Sequence, residues 1–266
     1  MKRRSIRRLS RAVRRLYRSS RRGLRRLRKK PPAIRVAVLA AVLVSLWLAI
    51  NWTYQALRKP TEFFFPVSGA LAKSPAETWR SYGPLFEEHS TAVMTPSLLA
   101  ALAQVEGAGN PVARTSWRWR AAWNPLEVYT PASSAVGMYQ ITDGTFAQER
   151  RTCIHDHVAI EDPSSCWFNF LYCRVVPTHA IEMTSAFLDR RVAGILERRR
   201  RGSVALESKQ DLAAVIHLCG EGPADAYASR GFHPAPHERC GEQGLAAYLL
   251  RVRTMERVFA RMVAHD

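Results

Sequence analysis

The sequence predicts a mainly α-helical fold, a single domain of ordinary size carried behind one N-terminal membrane-spanning helix. Three observations lead there. The run VAVLAAVLVSLWLAI at 36–50 contains no charge. Beyond it, proline, glycine and capping residues separate several stretches whose apolar residues recur at helical spacing. Strand signals are sparse, and only 126–130 is a fair candidate. Of the 266 residues, a tail and the anchor consume about 60, which leaves roughly 200 to bury one core and shape one cleft.

The first element is the anchor. Residues 33–57 form a stretch long enough for a helix to cross ~30 Å of hydrocarbon. Trp52 and Tyr54 fall where an aromatic belt would sit, just before Arg58-Lys59-Pro60. Residues 1–32 are a Lys/Arg-rich tail, and no acidic residue precedes Glu62. By the positive-inside rule the tail stays in the cytoplasm and the C-terminal part is placed across the membrane. A cleaved signal peptide competes, but Ala70-Leu71-Ala72 lies too far past the apolar run for a usual cleavage site. The tail spaces Ile6, Leu9, Val13, Leu16, Leu24 and Leu27 among its arginines, as a basic amphipathic helix on anionic lipid would; a disordered retention signal is the other reading.

The formal net charge of +18 belongs to this tail. Without it and Arg35 the remainder is close to neutral, about +1 on the same count. A nucleic-acid-binding domain carries its own basic face, so nucleic acid is not expected as a partner.

Residues 58–73 read as a linker, with Pro60, Pro66, Gly69 and the apolar Phe63-Phe64-Phe65. The domain proper is expected over 74–266. Ser74-Pro75-Ala76-Glu77 is a capping box with proline in the first turn, and the helix it opens should break at Gly83-Pro84. Thr95-Pro96 opens the next helix, ending between Gly107 and Pro111. Further helices are expected over 144–150, 177–200, 208–219 and 242–264.

None of the five cysteines forms a CxxC pair, so a zinc ribbon is not indicated. In an oxidising compartment, Cys219 with Cys240 and Cys153 with Cys166 are guessed pairs, leaving Cys173. His155-Asp156-His157 with His179 lacks a placed third ligand, and neither a metal nor a cofactor is expected.

One carboxylate stands out. In TPSLLAALAQVEGAGNP, Glu106 lies seven after Leu99 and four after Leu102, continuing the stripe of Leu98, Leu99, Leu102 and Val105. Burial penalises its ionised form and the helix C-terminus disfavours negative charge, so both favour a proton that can be donated to a leaving oxygen. On this helix alone, a plain helix end is the better explanation of the residue.

The next segment changes the balance. Residues 133–142 read SSAVGMYQIT, followed by Gly144-Thr145-Phe146. This block closely resembles the S-x-x-G-(L/M)-x-Q-(I/h)-T signature of the lytic transglycosylases of the SLT type, lysozyme-like enzymes that cleave peptidoglycan glycan strands. In that family the catalytic glutamate ends a helix followed by N-P, which Leu102, Glu106, Asn110 and Pro111 match. The resemblance spans roughly half of the chain and implies a lysozyme-like domain with Glu106 as acid/base. It further implies that Gly137 allows close backbone approach and that Met138 and Tyr139 line the cleft or pack in the core. Gln140 would position helix or sugar, and Ser133 or Ser134 would hydrogen-bond near the carboxylate.

The chain departs from the family at three places. Gly107 follows the glutamate where serine is usual. An insert over 116–131 carries Trp117, Trp119, Trp123 and Tyr129, suited either to stacking on sugar rings or to forming a packed lid. The usual A-Y-N-A-G block is replaced around Ile216-His217-Leu218-Cys219-Gly220, with His217 in the tyrosine's place and Tyr227 beyond. His217 and Tyr227 are the expected substrate contacts there.

The resemblance implies cleavage of the MurNAc–GlcNAc bond by a single glutamate, with closure of a 1,6-anhydro ring. A hydrolytic lysozyme, with Glu127 or Asp143 as second carboxylate, and a catalytically weak glycan-binding scaffold are the alternatives. The expected partners are glycan strands and, through residues 33–57 and the tail, membrane lipid; a cell-envelope assembly or secretion apparatus is a further candidate. The expected location is the bacterial inner membrane, single-pass, with a periplasmic catalytic domain.

Overall fold

The computed structural model describes residues 30–64, 68–200 and 202–264. The tail residues Ile6 to Leu27, and Phe65 and Pro66 of the expected linker, lie outside the described residues. The protein is mainly helical with a few two- and three-residue strands, and it divides into two compact units.

The first unit contains helix α1 (Pro32–Arg58) and the segment Arg120–Tyr129. Among the described residues, α1 is the one helix long and apolar enough to cross a membrane. Its last turns are polar. The side-chain amides of Asn51 and Gln55 both donate to the Leu126 carbonyl, at 3.0 and 2.6 Å. Glu127 pairs with Arg58 at 3.2 Å and with Arg120 at 3.5 Å. The strand expected over 126–130 begins instead as a 3-10 turn, Pro125–Glu127, because the Asn124 side chain accepts the Leu126 amide at 3.0 Å and closes an Asn-Pro turn. Trp123 in this segment is wholly exposed.

The second unit, Lys59–Trp119 with Thr130–Asp266, holds the core. Helix α2 (Pro75–Glu88) begins with the complete capping box of Ser74 and Glu77. It does not break at Gly83-Pro84. Proline removes one intrahelical hydrogen bond, yet Trp79, Tyr82 and Phe86 are buried on either side of it, and their packing carries the helix through. Helix α3 (Pro96–Gly107) is capped by the Thr95 side chain. Its residues 98–103 are all buried, and each wholly buried leucine is worth about 1.5–3 kcal/mol.

Short strands β1 (Trp117–Trp119) and β2 (Tyr129–Pro131) come next, then α4 (Asp143–Glu149). The antiparallel hairpin β3 (Cys153–His155) and β4 (Val158–Ile160) follows, paired Cys153 to Ile160. Helices α5 (Pro177–Arg198), α6 (Leu206–Cys219) and α7 (Glu221–Ser229) then precede a second hairpin, β5 (Arg239–Cys240) with β6 (Gln243–Gly244). The last helix, α8 (Leu245–Val263), packs along α3. Disulfides join Cys153 to Cys166 and Cys219 to Cys240, and Cys173 is free and exposed.

Residues 59–64 and 68–73 are not a loose linker. They form 3-10 turns, Pro60–Phe64 and Gly69–Leu71, inside the second unit. Glu62 has no exposed surface and pairs with Arg114 at 2.5 Å and Lys59 at 3.4 Å, while the Trp117 indole donates to it at 2.9 Å. The Lys59 ammonium reaches the carbonyls of Ser133 and Ala135 at 3.2 and 2.9 Å. Burial holds the Lys59 pKa below the usual lysine value. A buried carboxylate of this kind is tolerable only with such partners, and two of the three, Arg114 and Trp117, come from positions far along the sequence.

Candidate active site

Helix α3 ends in a tight left-handed turn, with Ala108 at φ 48° and Gly109 at φ 60°. A β-carbon on Gly109 would lie 2.2 Å from the Thr78 hydroxyl, so only glycine fits. Glu106 therefore sits on the last turn of a helix whose end is fixed. It is half-buried rather than fully enclosed. The Tyr248 hydroxyl, from α8, donates to its Oε1 at 2.7 Å. No hydrogen bond from a described residue reaches Oε2. Tyr248 itself is wholly buried, and burial together with the Glu106 carboxylate pushes its pKa well above the usual phenol value. The Arg251 guanidinium lies 5.8 Å from its ring centroid.

Residues 136–141 form a tight turn beside that helix end. Val136 and Ile141 exchange backbone hydrogen bonds of 3.0 and 3.2 Å, and the Gly137 amide donates to Ala113. Gly137 adopts φ 80°, and a β-carbon there would meet the Arg174 carbonyl at 2.5 Å. Its close approach is to that protein carbonyl. Gly107 packs directly against the turn: a β-carbon would lie 2.7 Å from Met138 Cα. Gly107 thus permits the contact that brings the 136–141 turn against the residue after the glutamate.

The expected substrate contacts divide into two groups. Met138 and Tyr139 are wholly buried and serve as core, while Tyr227, also wholly buried, borders a separate pocket with Asp211 and Phe232. The Tyr139 hydroxyl donates to the Leu99 carbonyl at 3.1 Å, which fastens the turn to α3. Tyr227 packs edge-on to Phe232, at 6.1 Å between ring centroids. The serines do not bond the carboxylate. The Ser133 hydroxyl accepts the Ala135 amide and the Ser134 hydroxyl accepts the Asp143 amide, so both shape the loop. The second group faces a cleft of about 420 Å³. Gln140 lines it, with its amide donating to the Gly137 carbonyl at 2.8 Å, and His217 lines it from the last turn of α6, edge-on to Tyr139.

Of the two carboxylates considered as a second catalytic group, Asp143 is mostly exposed and pairs with Arg174 at 2.7 Å. Glu127 is held by Arg58 and Arg120 in the first unit. Among the described residues no His, Cys, Asp or Glu cluster could hold a metal ion.

Two residues escaped the sequence reading, Tyr248 at Glu106 and Glu149 in the cleft of Gln140 and His217, which Glu106 does not line. Tyr248 lies among Leu245, Leu249 and Val252 and reads as ordinary core. Glu149 lines the same cleft as Gln140 and His217 and is only 1% exposed; its only signal is the three-residue spacing from Phe146. No protein-family model matches the chain, and no curated protein matches it in sequence.

Proposed function

We propose that the chain is a membrane-anchored peptidoglycan lytic transglycosylase with a lysozyme-like domain and Glu106 as its single acid/base. One observation carries this reading. A carboxyl group at a rigid helix end has one oxygen held by the Tyr248 hydroxyl at 2.7 Å and a second oxygen that no described residue binds. It stands beside the glycine-shaped 136–141 turn, whose sequence resembles the lytic transglycosylase signature. A group held in this way can present one oxygen in a fixed direction for proton transfer.

The chemistry then needs no second carboxylate. The Glu106 carboxyl gives its proton to the glycosidic oxygen that leaves the N-acetylmuramic acid carbon. The resulting carboxylate takes the proton of the sugar's own C6 hydroxyl as that oxygen bonds to the same carbon. The product is a 1,6-anhydro ring, no water is consumed, and Glu106 ends protonated as it began.

The remaining assignments follow from α1. In this reading it spans the bacterial inner membrane, with the arginine-rich tail on lipid at the cytoplasmic side and the second unit in the periplasm, facing glycan strands.

The test is digestion of purified sacculi by the detergent-solubilised full chain, with muropeptides analysed by mass spectrometry. Anhydro ends are expected, and Glu106→Gln is expected to lower their release by at least about 100-fold, the lower range of general acid catalysis. Reducing ends would make the enzyme a hydrolase. Unchanged release by Glu106→Gln would remove the assignment.

A further inference from the structure

Trp123 is wholly exposed. Indole is among the largest apolar surfaces a side chain carries, and a surface in water rarely leaves it bare on every side. The adjoining turn does not call for it, since the Asn124 side chain closes that turn. The place of its segment within the first unit explains the residue.

Helix α1 changes character after Ile50. From Pro32 to Ile50 it covers ~28 Å at about 1.5 Å per residue, close to the ~30 Å of bilayer hydrocarbon. Protein buries none of these residues, and the first buried one is Asn51. Asn51 and Gln55 are covered by Arg120–Tyr129, where the Leu126 carbonyl, 75 and 71 positions away, accepts both amides. The same segment sets Arg120 and Glu127 beside Arg58, charges that hydrocarbon does not readily accept. The segment therefore stands just outside the hydrocarbon. The headgroup layer there is ~5–8 Å thick, and one helical turn from Asn51 to Gln55 rises ~6 Å, so the two amides bracket it. Trp123 is three residues before Leu126 and stays within ~10 Å of this joint.

A second observation points to lipid. Where Leu126 crosses the helix, an apolar hollow of about 370 Å³ stays open, lined by Ala49, Ile50, Leu57 and Leu126. Ile50 and Leu57 are themselves exposed. Acyl carbons at the edge of a bilayer fill such a hollow favourably, and water does not.

We infer that Arg120–Tyr129 is an interfacial collar on α1, with Trp123 seated in the lipid headgroup layer, and that it fixes the depth of the helix. The ring then meets glycerol and upper acyl carbons while its N–H reaches polar groups, the balance that places tryptophan at membrane surfaces. The inference rests on the reading of α1 as a membrane span. It assigns Trp123 to lipid and not to a sugar ring.

The experiment uses the full chain in nanodiscs of phosphatidylethanolamine and phosphatidylglycerol. Cys173→Ser removes the free thiol. Trp123→Cys is then labelled with nitrobenzoxadiazole, and a second protein carries the label at Leu43→Cys, midway along α1. The quenchers are aqueous iodide and lipids with a nitroxide on the headgroup or deep in the acyl chain. The Leu43 label is expected to respond to the deep nitroxide alone. The label at 123 is expected to respond most to the headgroup nitroxide and to lose most of the iodide quenching of the free label in buffer. Ala121→Cys repeats the measurement with Trp123 in place, and adding Trp123→Ala there is expected to restore iodide access.

Full iodide quenching at 123, with or without relief by added glycan fragments, overturns the inference and leaves the span if the Leu43 label lies in lipid. A label at 123 shielded from iodide but untouched by either lipid means that a second copy covers it, which also overturns the inference. So does shielding at 121 that Trp123→Ala leaves unchanged. A Leu43 label in water removes the span and the collar together.

Discussion

A carboxylate is only as useful as its orientation, and Tyr248 sets that of Glu106. In the proposed reading the phenol acts through Glu106, as a positioning residue. Tyr248→Phe removes one hydrogen bond to a charged or charge-developing group, worth about 1.5–3 kcal/mol. The expected outcome is a kcat on sacculi lower by about 10–100-fold with KM little changed, checked by steady-state release of soluble muropeptides. A drop in KM-limited binding instead would place Tyr248 in substrate contact. Glu106 was legible because its own helix and the 133–142 block carry local pattern. Tyr248 was not, because it stands 142 positions away and only α8 packing on α3 brings it back. Met138, Tyr139 and Tyr227 show the opposite limit. Motif position left groove or core open for Met138 and Tyr139 and suggested substrate contact for Tyr227, but large apolar or amphipathic side chains gain more from burial, and the fold takes all three inside.

The elements near the site are spaced by absent side chains. Gly107 and Gly137 let one turn lie between a helix end and the Arg174 carbonyl, with no room for a β-carbon on either side. Gly107→Ala is therefore expected to push the 136–141 turn away from α3. It should cost about 1–3 kcal/mol of stability, the usual range for overpacking, and a larger share of activity than of stability. Thermal melts with parallel sacculus digestion check this; unchanged activity would mean that the turn does not set the site. Helix starts were legible wherever a capping side chain and proline coincide, as at Ser74-Pro75 and Thr95-Pro96. What local chemistry could not reveal depends on distant partners. Pro84 is held inside α2 by flanking aromatics. Helix α7, after Gly220, carries no side-chain cap to announce it. Glu62 turns an expected linker into part of the domain because Arg114 and Trp117 meet it.

At the scale of the molecule, two buried acids tilt stability toward low pH. Burial raises Glu149 to about 8 and, with Asp211 and Glu207 nearby, raises Glu256 to about 7, against 4.5 for an unperturbed glutamate. Between 4.5 and these values the native chain binds more protons than the unfolded one. Their contribution is thus full below about pH 4.5 and is lost as pH rises toward 7 and 8. Replacing Glu149 by glutamine removes its share of that loss. Glu149→Gln should melt close to wild type at pH 5 and above it at pH 8, with a gap on the order of a few kcal/mol. Differential scanning calorimetry at the two pH values measures the gap, and a gap that does not grow with pH would contradict it.

The Cys219–Cys240 bond ties the end of α6, just beyond His217, to the hairpin that leads into α8 and Tyr248. Such bonds persist where the surroundings are oxidising and are scarce in a reducing cytosol. The sulfur atoms therefore keep a chemical record of whether the second unit matured in oxidising or reducing surroundings. A chain taken from cells under acid quench, denatured without reductant and treated with a thiol-specific mass tag should gain a single tag, on Cys173. Prior reduction should raise this to all five cysteines. Five tags without reduction would mean that the second unit had matured on the reducing side, whatever the arginines of the tail suggest.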